Sequence, residues 1–166
     1  MALLKWTFLA LAGLGLAATA TIPRPLADYR RWTPLTPEPQ RMPYQLATMC
    51  APFMKGLANT EGPHKDRWVV VYANPVAIAG FKATEAEEFP EGSIIAKEKR
   101  LERDDAHPDG VAFMIKHGKG ELQESGGWEF AFYPSAPQAR YDGCVDCHRS
   151  GGSKDYVFST LTPDPR

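Results

Sequence analysis

The sequence carries no excess of charge of either sign. There are 19 Lys and Arg residues and 20 Asp and Glu residues among 166, and neither sign collects into a stripe or a run. A protein that binds nucleic acid usually carries a basic stripe, and a helix that binds a membrane surface carries a run of charges. We therefore expect neither nucleic acid nor a membrane surface as a partner. The hydrophobic content of 43% is that of a globular protein with one core.

Long apolar segments are also absent after the first 20 residues. The apolar run at 6–18 is shorter than the roughly 20 residues that span a bilayer. Lys5 precedes this run, and Ala18-Thr19-Ala20 follows it with the small-x-small pattern of a cleavage site. We therefore predict that residues 1–20 are a cleaved signal peptide, with a retained anchor as the alternative. The mature protein would be periplasmic, without a stable membrane span.

Cysteine is scarce, which fits poorly with a disulfide scaffold. The three cysteines cannot all pair within one exported chain. Cys50 lies alone in an apolar segment, which favours a buried thiol, although a link between two chains is the alternative. Cys144 and Cys147 lie close together, and we expect them to serve another purpose.

Proline, in contrast, is abundant near the N-terminus. Six of the 15 prolines lie in residues 21–44, where they favour extended chain over regular helix. We interpret 21–44 as a proline-rich arm or linker and 45–166 as the folded domain. Residues 45–58 have helical periodicity that is interrupted at Pro52.

Four runs rich in β-branched and aromatic residues follow, and turn-forming residues separate them. Residues 76–88, between the first run and the second, predict a short helix. The expected fold class is α+β, a mainly antiparallel sheet with a few helices packed on a bound cofactor, and no solenoid repeat is present. The four runs are residues 68–72, 93–99, 111–117 and 128–133.

The cofactor is indicated by residues 144–148, which read Cys-Val-Asp-Cys-His, the C-x-x-C-H haem attachment pattern. Two thiols at this spacing can add to the two haem vinyl groups, and the adjacent histidine can bind the iron through an imidazole nitrogen. The pattern predicts one covalent haem c, attached through Cys144 and Cys147, with His148 as the iron ligand.

Two other sites could use the same residues. A thioredoxin-like dithiol normally begins a helix within a βαβ unit, whereas this pair lies near the C-terminus after a loop. A zinc site could recruit Cys144, Cys147, Cys50 and a histidine. Structural zinc usually draws on two ligand pairs, however, and Cys50 has no neighbouring ligand in the sequence. Haem is the favoured interpretation.

Several short segments surround the motif in a characteristic order. They are GPH at 62–64, VYAN at 71–74, FPEGSIIAKEK at 89–99, GWEF at 127–130 and DYVF at 155–158. In this order they resemble the cytochrome P460 family, which includes the cytochromes c′-beta, over about residues 64–159. The resemblance implies a sheet packed against the haem, with His148 as the only proximal ligand. The sixth coordination position would be open or would hold water.

The same resemblance draws attention to Lys97. In the P460 members a sheet lysine is also bonded to the haem ring, and these proteins oxidise hydroxylamine. The c′-beta members lack this bond and bind nitric oxide under an apolar cap. Lys97 is the candidate for the cross-link by its motif position, ahead of Lys99, which shares its strand face. The alternative is that both lysines form the solvated face of an edge strand.

The loop at 134–141 would border the distal pocket, again by resemblance. It contains no acid before Asp142, although removing protons from hydroxylamine would benefit from one. Ala139 would line the pocket with apolar surface, and Arg140 would hold a propionate or an anionic ligand. We therefore expect ligand binding rather than turnover.

The expected function is a periplasmic cytochrome whose five-coordinate haem binds or oxidises small nitrogen species such as hydroxylamine and nitric oxide. A haem-based sensor or carrier would differ only in lacking turnover. The alternative class is an electron-transfer cytochrome with a six-coordinate haem. A soluble redox partner and a homodimer are further expectations. Candidates for a sixth ligand are His64, His107, His117, Met49, Met54 and Met114.

Overall fold

The computed structural model describes residues 21–42, 66–133 and 142–158. In this part of the chain six strands form one antiparallel sheet with the order β1-β3-β4-β5-β6, and β2 also pairs with β3. The predicted α+β class is confirmed. The strands are β1 Thr33–Pro34, β2 Gln40–Arg41, β3 Trp68–Ala73, β4 Ile94–Arg100, β5 Gly110–Lys116 and β6 Trp128–Tyr133. The helices are α1 Arg24–Ala27, α2 Pro75–Lys82 and α3 Asp142–Gly151, with 3-10 turns at Tyr29–Arg31 and Gln123–Ser125.

The four predicted strands are β3, β4, β5 and β6, each within one residue of its predicted bounds. They follow one another in the sheet as they do in the chain, with α2 between β3 and β4. Since consecutive antiparallel strands need only short connections, local sequence signals were enough to find them.

The helix predicted over 76–88 is α2, and it is shorter than predicted. It begins after Asn74, whose side chain accepts a hydrogen bond from the Ala77 amide at 2.8 Å. At the other end, the Lys154 ammonium donates to two backbone carbonyls and so satisfies the helix terminus. The chain then leaves the helix, and Phe89 packs into the core. The second half of the predicted helix is therefore wrong, because distant contacts end it.

The strands alternate between two faces of the sheet, which we call front and back. Ile95, Lys97 and Lys99 lie together on the front face, as their period-two spacing predicts. The front core consists of Leu35, Val71, Ala73, Ala77, Phe89, Ile95, Met114, Trp128 and Val157. The back core consists of Leu26, Tyr29, Ala96, Val111 and Phe113.

The proline-rich arm, which is described up to residue 42, packs its first part on the back face, whereas Leu35 lies in the front core. Pro25 falls in the first turn of α1, where proline is tolerated, so one helical turn forms where extended chain was expected. Leu26 and Tyr29 are buried in the back core, and the arm's two short strands pair with β3. The predicted division into 21–44 and 45–166 stays a prediction.

Two predictions fall outside the described residues, namely the signal peptide at 1–20 and the helix at 45–58. Among the residues that the structure describes, no helix is both long and apolar enough to cross a membrane.

Candidate haem site

Helix α3 carries the three motif residues. Cys144, Cys147 and His148 are three and four residues apart, and positions with this spacing share one side of a helix. Asp142 in the first turn and Arg149 in the last turn complement the helix dipole. Local sequence therefore favours a helix here, and the helix brings two sulfurs and an imidazole to a common surface.

The protonation of His148 is set by one hydrogen bond. Its Nδ1 lies 2.8 Å from the carbonyl oxygen of Tyr156, and because a carbonyl can only accept, Nδ1 carries the hydrogen. Burial, together with the charge of Lys97, lowers the pKa of His148 to about 4, although the bond to Tyr156 acts in the opposite direction. The imidazole is thus neutral at pH 7, and Nε2 keeps the lone pair that an iron ion requires.

Two aromatic side chains fix the plane of this imidazole. The rings of Phe130 and Phe158 each lie 5.0 Å from the His148 ring between centroids, at interplanar angles of 61° and 79°. Such edge-on contacts are favourable and leave little freedom for rotation. Phe130 belongs to the front face of β6, so these contacts also join α3 to the sheet.

The Tyr156 carbonyl belongs to a tight turn that is stabilised by hydrogen bonds to the neighbouring Asp155 side chain. Asp155 and Tyr156 both adopt left-handed backbone conformations, with φ of 44° and 66°. The Asp155 carboxylate accepts hydrogen bonds from the Phe89 amide at 2.8 Å and from the Lys116 ammonium at 2.9 and 3.1 Å. Neither Lys116 nor Asp155 was predicted from the sequence. The available signal was Lys116 at an inward position of a strand, since a buried lysine needs an anionic partner.

Lys97 and Lys99 lie on the same front face as Phe130, in a strand between β3 and β5. The alternative that they form the solvated face of an edge strand is wrong, because β4 is interior and Lys99 is only 6% exposed. Lys97 is partly buried and faces Val71 and Ala112 across the strand pairs.

Burial also perturbs both amines. It lowers the pKa of Lys97 to about 8, while the Cys144 sulfur acts in the opposite direction. Burial, and then the charge of Lys97, lower the pKa of Lys99 to about 7. The Lys99 ammonium lies 4.4 Å from the centroid of the Phe132 ring. The structure therefore brings Lys97, Cys144 and His148 together, and a large fraction of Lys97 is the neutral, nucleophilic amine near pH 8.

The two motif sulfurs differ in state. Cys144 is a free thiol whose pKa is raised by burial, against the charges of Lys99 and Lys97. Cys147 is almost fully buried and takes part in a disulfide bond. Attachment of haem at Cys147 would therefore require reduction of that bond. With this condition, two cysteines and a neutral imidazole with a free Nε2 are the donor set that a c-type haem needs.

The alternative sites gain no support from the geometry. Among the described residues, no group of three His, Cys, Asp or Glu side chains could hold a metal ion. Cys50, which the zinc alternative requires, lies outside the described residues. The motif helix follows an antiparallel strand rather than completing a βαβ unit, so the context of a thioredoxin-like dithiol is absent from the described chain.

Ala139 and Arg140, with the rest of the loop at 134–141, lie outside the described residues. The candidate sixth ligands His64, Met49 and Met54 also lie outside them.

The remaining candidates for a sixth ligand are described and have other surroundings. His107 is exposed in the connection between β4 and β5. His117 lies 2.6 Å from a Glu129 carboxylate oxygen through Nε2. Met114 is buried in the front core. A role as sixth ligand for any of the three side chains stays a prediction.

A protein-family model matches most of the chain. The model described as Cytochrome P460 matches residues 27–159, which cover most of the chain from the arm to the turn after α3. No curated protein matches the chain.

Proposed function

The chain belongs to the cytochrome P460 family, whose members carry a c-type haem with iron, and we propose that it is an exported cytochrome with one haem. It is exported to the periplasm and holds one haem, attached through Cys144 and Cys147 and ligated by Nε2 of His148. When bound, the haem would supply an iron that takes up a small ligand and exchanges electrons.

One observation carries this proposal, namely the state of His148. Its Nδ1 hydrogen is committed to the Tyr156 carbonyl, and its low pKa keeps the ring neutral. A histidine whose Nδ1 donates a hydrogen bond is typical of metal ligands, because this bond fixes both the tautomer and the orientation of the ring. The residue that the motif assigns to the iron is thus already in the form that iron binds.

The chemistry that we propose is the binding of small nitrogen species, with nitric oxide or hydroxylamine as ligand. The aromatic rings of Phe130 and Phe158 place apolar surface against His148. The sequence of loop 134–141 provides no carboxylate to accept protons from hydroxylamine. Uptake of a ligand is therefore favoured over turnover, and any electrons released would pass to a soluble redox partner.

Lys97 is the residue that we propose for a cross-link to the haem ring. It lies on the sheet face that meets α3, and its lowered pKa of about 8 supplies a neutral amine. A bond between Nζ and a ring carbon replaces one N–H and one C–H. Its formation releases two electrons and two protons, and we propose a peroxide as the oxidant that takes them up and is reduced to water.

The alternative function is electron transfer with both axial positions filled. The described histidines weigh against it, since His107 is exposed and His117 is bound to Glu129. A low-spin, six-coordinate spectrum of the purified protein would select this alternative.

The test of the cross-link combines an absorption spectrum of the ferrous protein with mass analysis of its proteolytic peptides. We expect a red-shifted Soret band and a Lys97 peptide that stays joined to the haem peptide of Cys144 and Cys147. In Lys97→Ala both features should disappear, while the matched variant Lys99→Ala should keep them. An ordinary high-spin c-type spectrum with a free Lys97 peptide would instead identify a protein that binds nitric oxide without the cross-link.

A further inference from the structure

We infer that Lys116 is a positioning residue for the axial histidine, acting through Asp155 and the Tyr156 carbonyl. Lys116 ends β5, 32 positions before His148 in the sequence, and does not touch the imidazole. The inference rests on the proposed ligation of iron by His148, and it adds a way in which the sheet controls that ligand.

The first link is the buried ion pair between Lys116 and Asp155. Their side chains are 6% and 4% exposed, and the ammonium contacts both carboxylate oxygens. The third donor of Lys116 goes to the Gly126 carbonyl at 2.7 Å. Glu88 is 4.0 Å away but largely exposed, so it contributes little. A buried charge in such a pair depends on its partner, because the remaining charge would otherwise be desolvated alone.

The second link is the turn that contains Asp155 and Tyr156. Two successive non-glycine residues with positive φ are strained, and surrounding contacts must maintain them. Those contacts are the Lys116 ammonium and the Phe89 amide on the Asp155 carboxylate, together with a backbone bridge between Lys154 and Val157. Loss of the Lys116 ammonium removes the charged part of this support.

The third link is the 2.8 Å hydrogen bond from His148 Nδ1 to the Tyr156 carbonyl. A strong bond at Nδ1 makes the imidazole a more basic ligand and strengthens its bond to iron. The carbonyl reaches Nδ1 only while the turn keeps its left-handed geometry. Lys116 therefore sets the strength of the iron–histidine bond without contacting either atom of that bond.

Resonance Raman spectroscopy of the ferrous holoprotein tests this inference, because it measures the iron–histidine stretching frequency. We expect this frequency to fall in Lys116→Met and also in Asp155→Asn. The two variants remove opposite charges, so a purely electrostatic influence on the haem would shift the iron–histidine frequency in opposite directions. A frequency that falls in both variants therefore reports the lost positioning of His148.

Arg30→Met is the control, since it removes a cation that pairs with the buried Glu98 carboxylate on the back face. We expect its iron–histidine frequency to equal that of the unmodified protein. If Lys116→Met does not fold, Lys116→Arg serves in its place. It keeps the charge but alters the donor geometry, so its frequency should fall by less.

Two contrary results have different meanings. An unchanged frequency in Asp155→Asn and in the Lys116 variant would overturn the positioning role and leave the proposed function intact. Absence of an iron–histidine band from the unmodified ferrous protein would instead overturn the proposed five-coordinate haem with His148 as its only axial ligand.

Discussion

Glu98 places a carboxylate on the back face of the sheet, where its side chain has no exposed surface. It accepts hydrogen bonds from the hydroxyl of Tyr29 at 2.7 Å and from the guanidinium groups of Arg30 and Arg100. Burial alone would raise the pKa of Glu98, but the bonds from Arg100, Tyr29 and Arg30 outweigh it and lower the pKa. The buried Glu98 carboxylate of β4 thus binds the arm through Tyr29 and Arg30, and these bonds compensate for the burial of its charge.

We predict that Glu98→Gln lowers the free energy of unfolding at pH 7 by about 3 kcal/mol, as when one partner of a buried ion pair is lost. Because the folded pKa lies below the ordinary value of 4.5, the stabilisation is present above pH 4.5 and disappears as pH falls through the folded pKa. Urea denaturation of both proteins from pH 7 downwards checks this. A stability difference that does not narrow below pH 4.5 would contradict the assignment.

At the same scale, the site was only partly predictable. The motif identified Cys144, Cys147 and His148, because their chemistry is encoded in adjacent positions. The Lys116–Asp155 pair joins residues 39 positions apart, and the Tyr29–Glu98 bond joins residues 69 apart. Such pairs form only after the strands have set their register, so no local pattern contains them.

At the scale of elements, the turn after α3 packs against the turn that precedes β6. Gly126 has a φ of 63°, and a Cβ at this position would overlap the ring of Tyr156. The glycine therefore lets Tyr156 lie close, and the Tyr156 carbonyl is the group that orients His148. Two turns that are distant in sequence thus determine one hydrogen bond of the site.

We predict that Gly126→Ala lowers the free energy of unfolding by about 2 kcal/mol, through backbone strain and displacement of the Tyr156 ring. It should also lower the iron–histidine stretching frequency of the ferrous protein. Gly120→Ala is the control, since Gly120 has a φ of 96° but nothing within 4 Å of the position that a Cβ would occupy. The control should lose stability through strain while keeping its frequency. Equal frequencies in both variants would contradict the proposed contact.

The strands were predictable because each carries its own β-branched and aromatic run between turn residues. The end of α2 was not, because the Lys154 ammonium that caps it comes from a segment more than 70 residues away. The sequence also did not predict that β4 lies in the interior of the sheet. Its lysines have the composition of an edge strand, and only the pairing with both β3 and β5 shows that they are enclosed.

At the scale of the whole molecule, β4 connects two different surfaces. Lys97 faces the candidate haem site on the front, and the adjacent Glu98 faces the arm on the back. The arm covers the back core with Leu26 and Tyr29 and adds Leu35 to the front core, while Phe130 on the front face contacts His148 of α3. This arrangement makes the arm part of the structural support for the site, although it contributes no residue to it.

The arm also bears on export. Cleavage after Ala20 would leave Thr21 as the first residue, and Ile22 already packs against the back core. The folded structure therefore begins almost immediately after the predicted signal peptide. We predict that expression with haem-attachment machinery yields a periplasmic protein that begins at Thr21 and carries one covalent haem, which mass spectrometry of the purified protein checks.

Deletion of residues 1–20 should retain the protein in the cytoplasm without covalent haem, because attachment to such motifs takes place outside that compartment. Replacement of 1–20 by an unrelated cleavable signal peptide is the control, and it should restore both export and attachment. Since the arm from Thr21 onwards is identical in the two proteins, a difference between them reports transport rather than folding. Covalent haem on the cytoplasmic deletion protein would contradict the predicted role of residues 1–20.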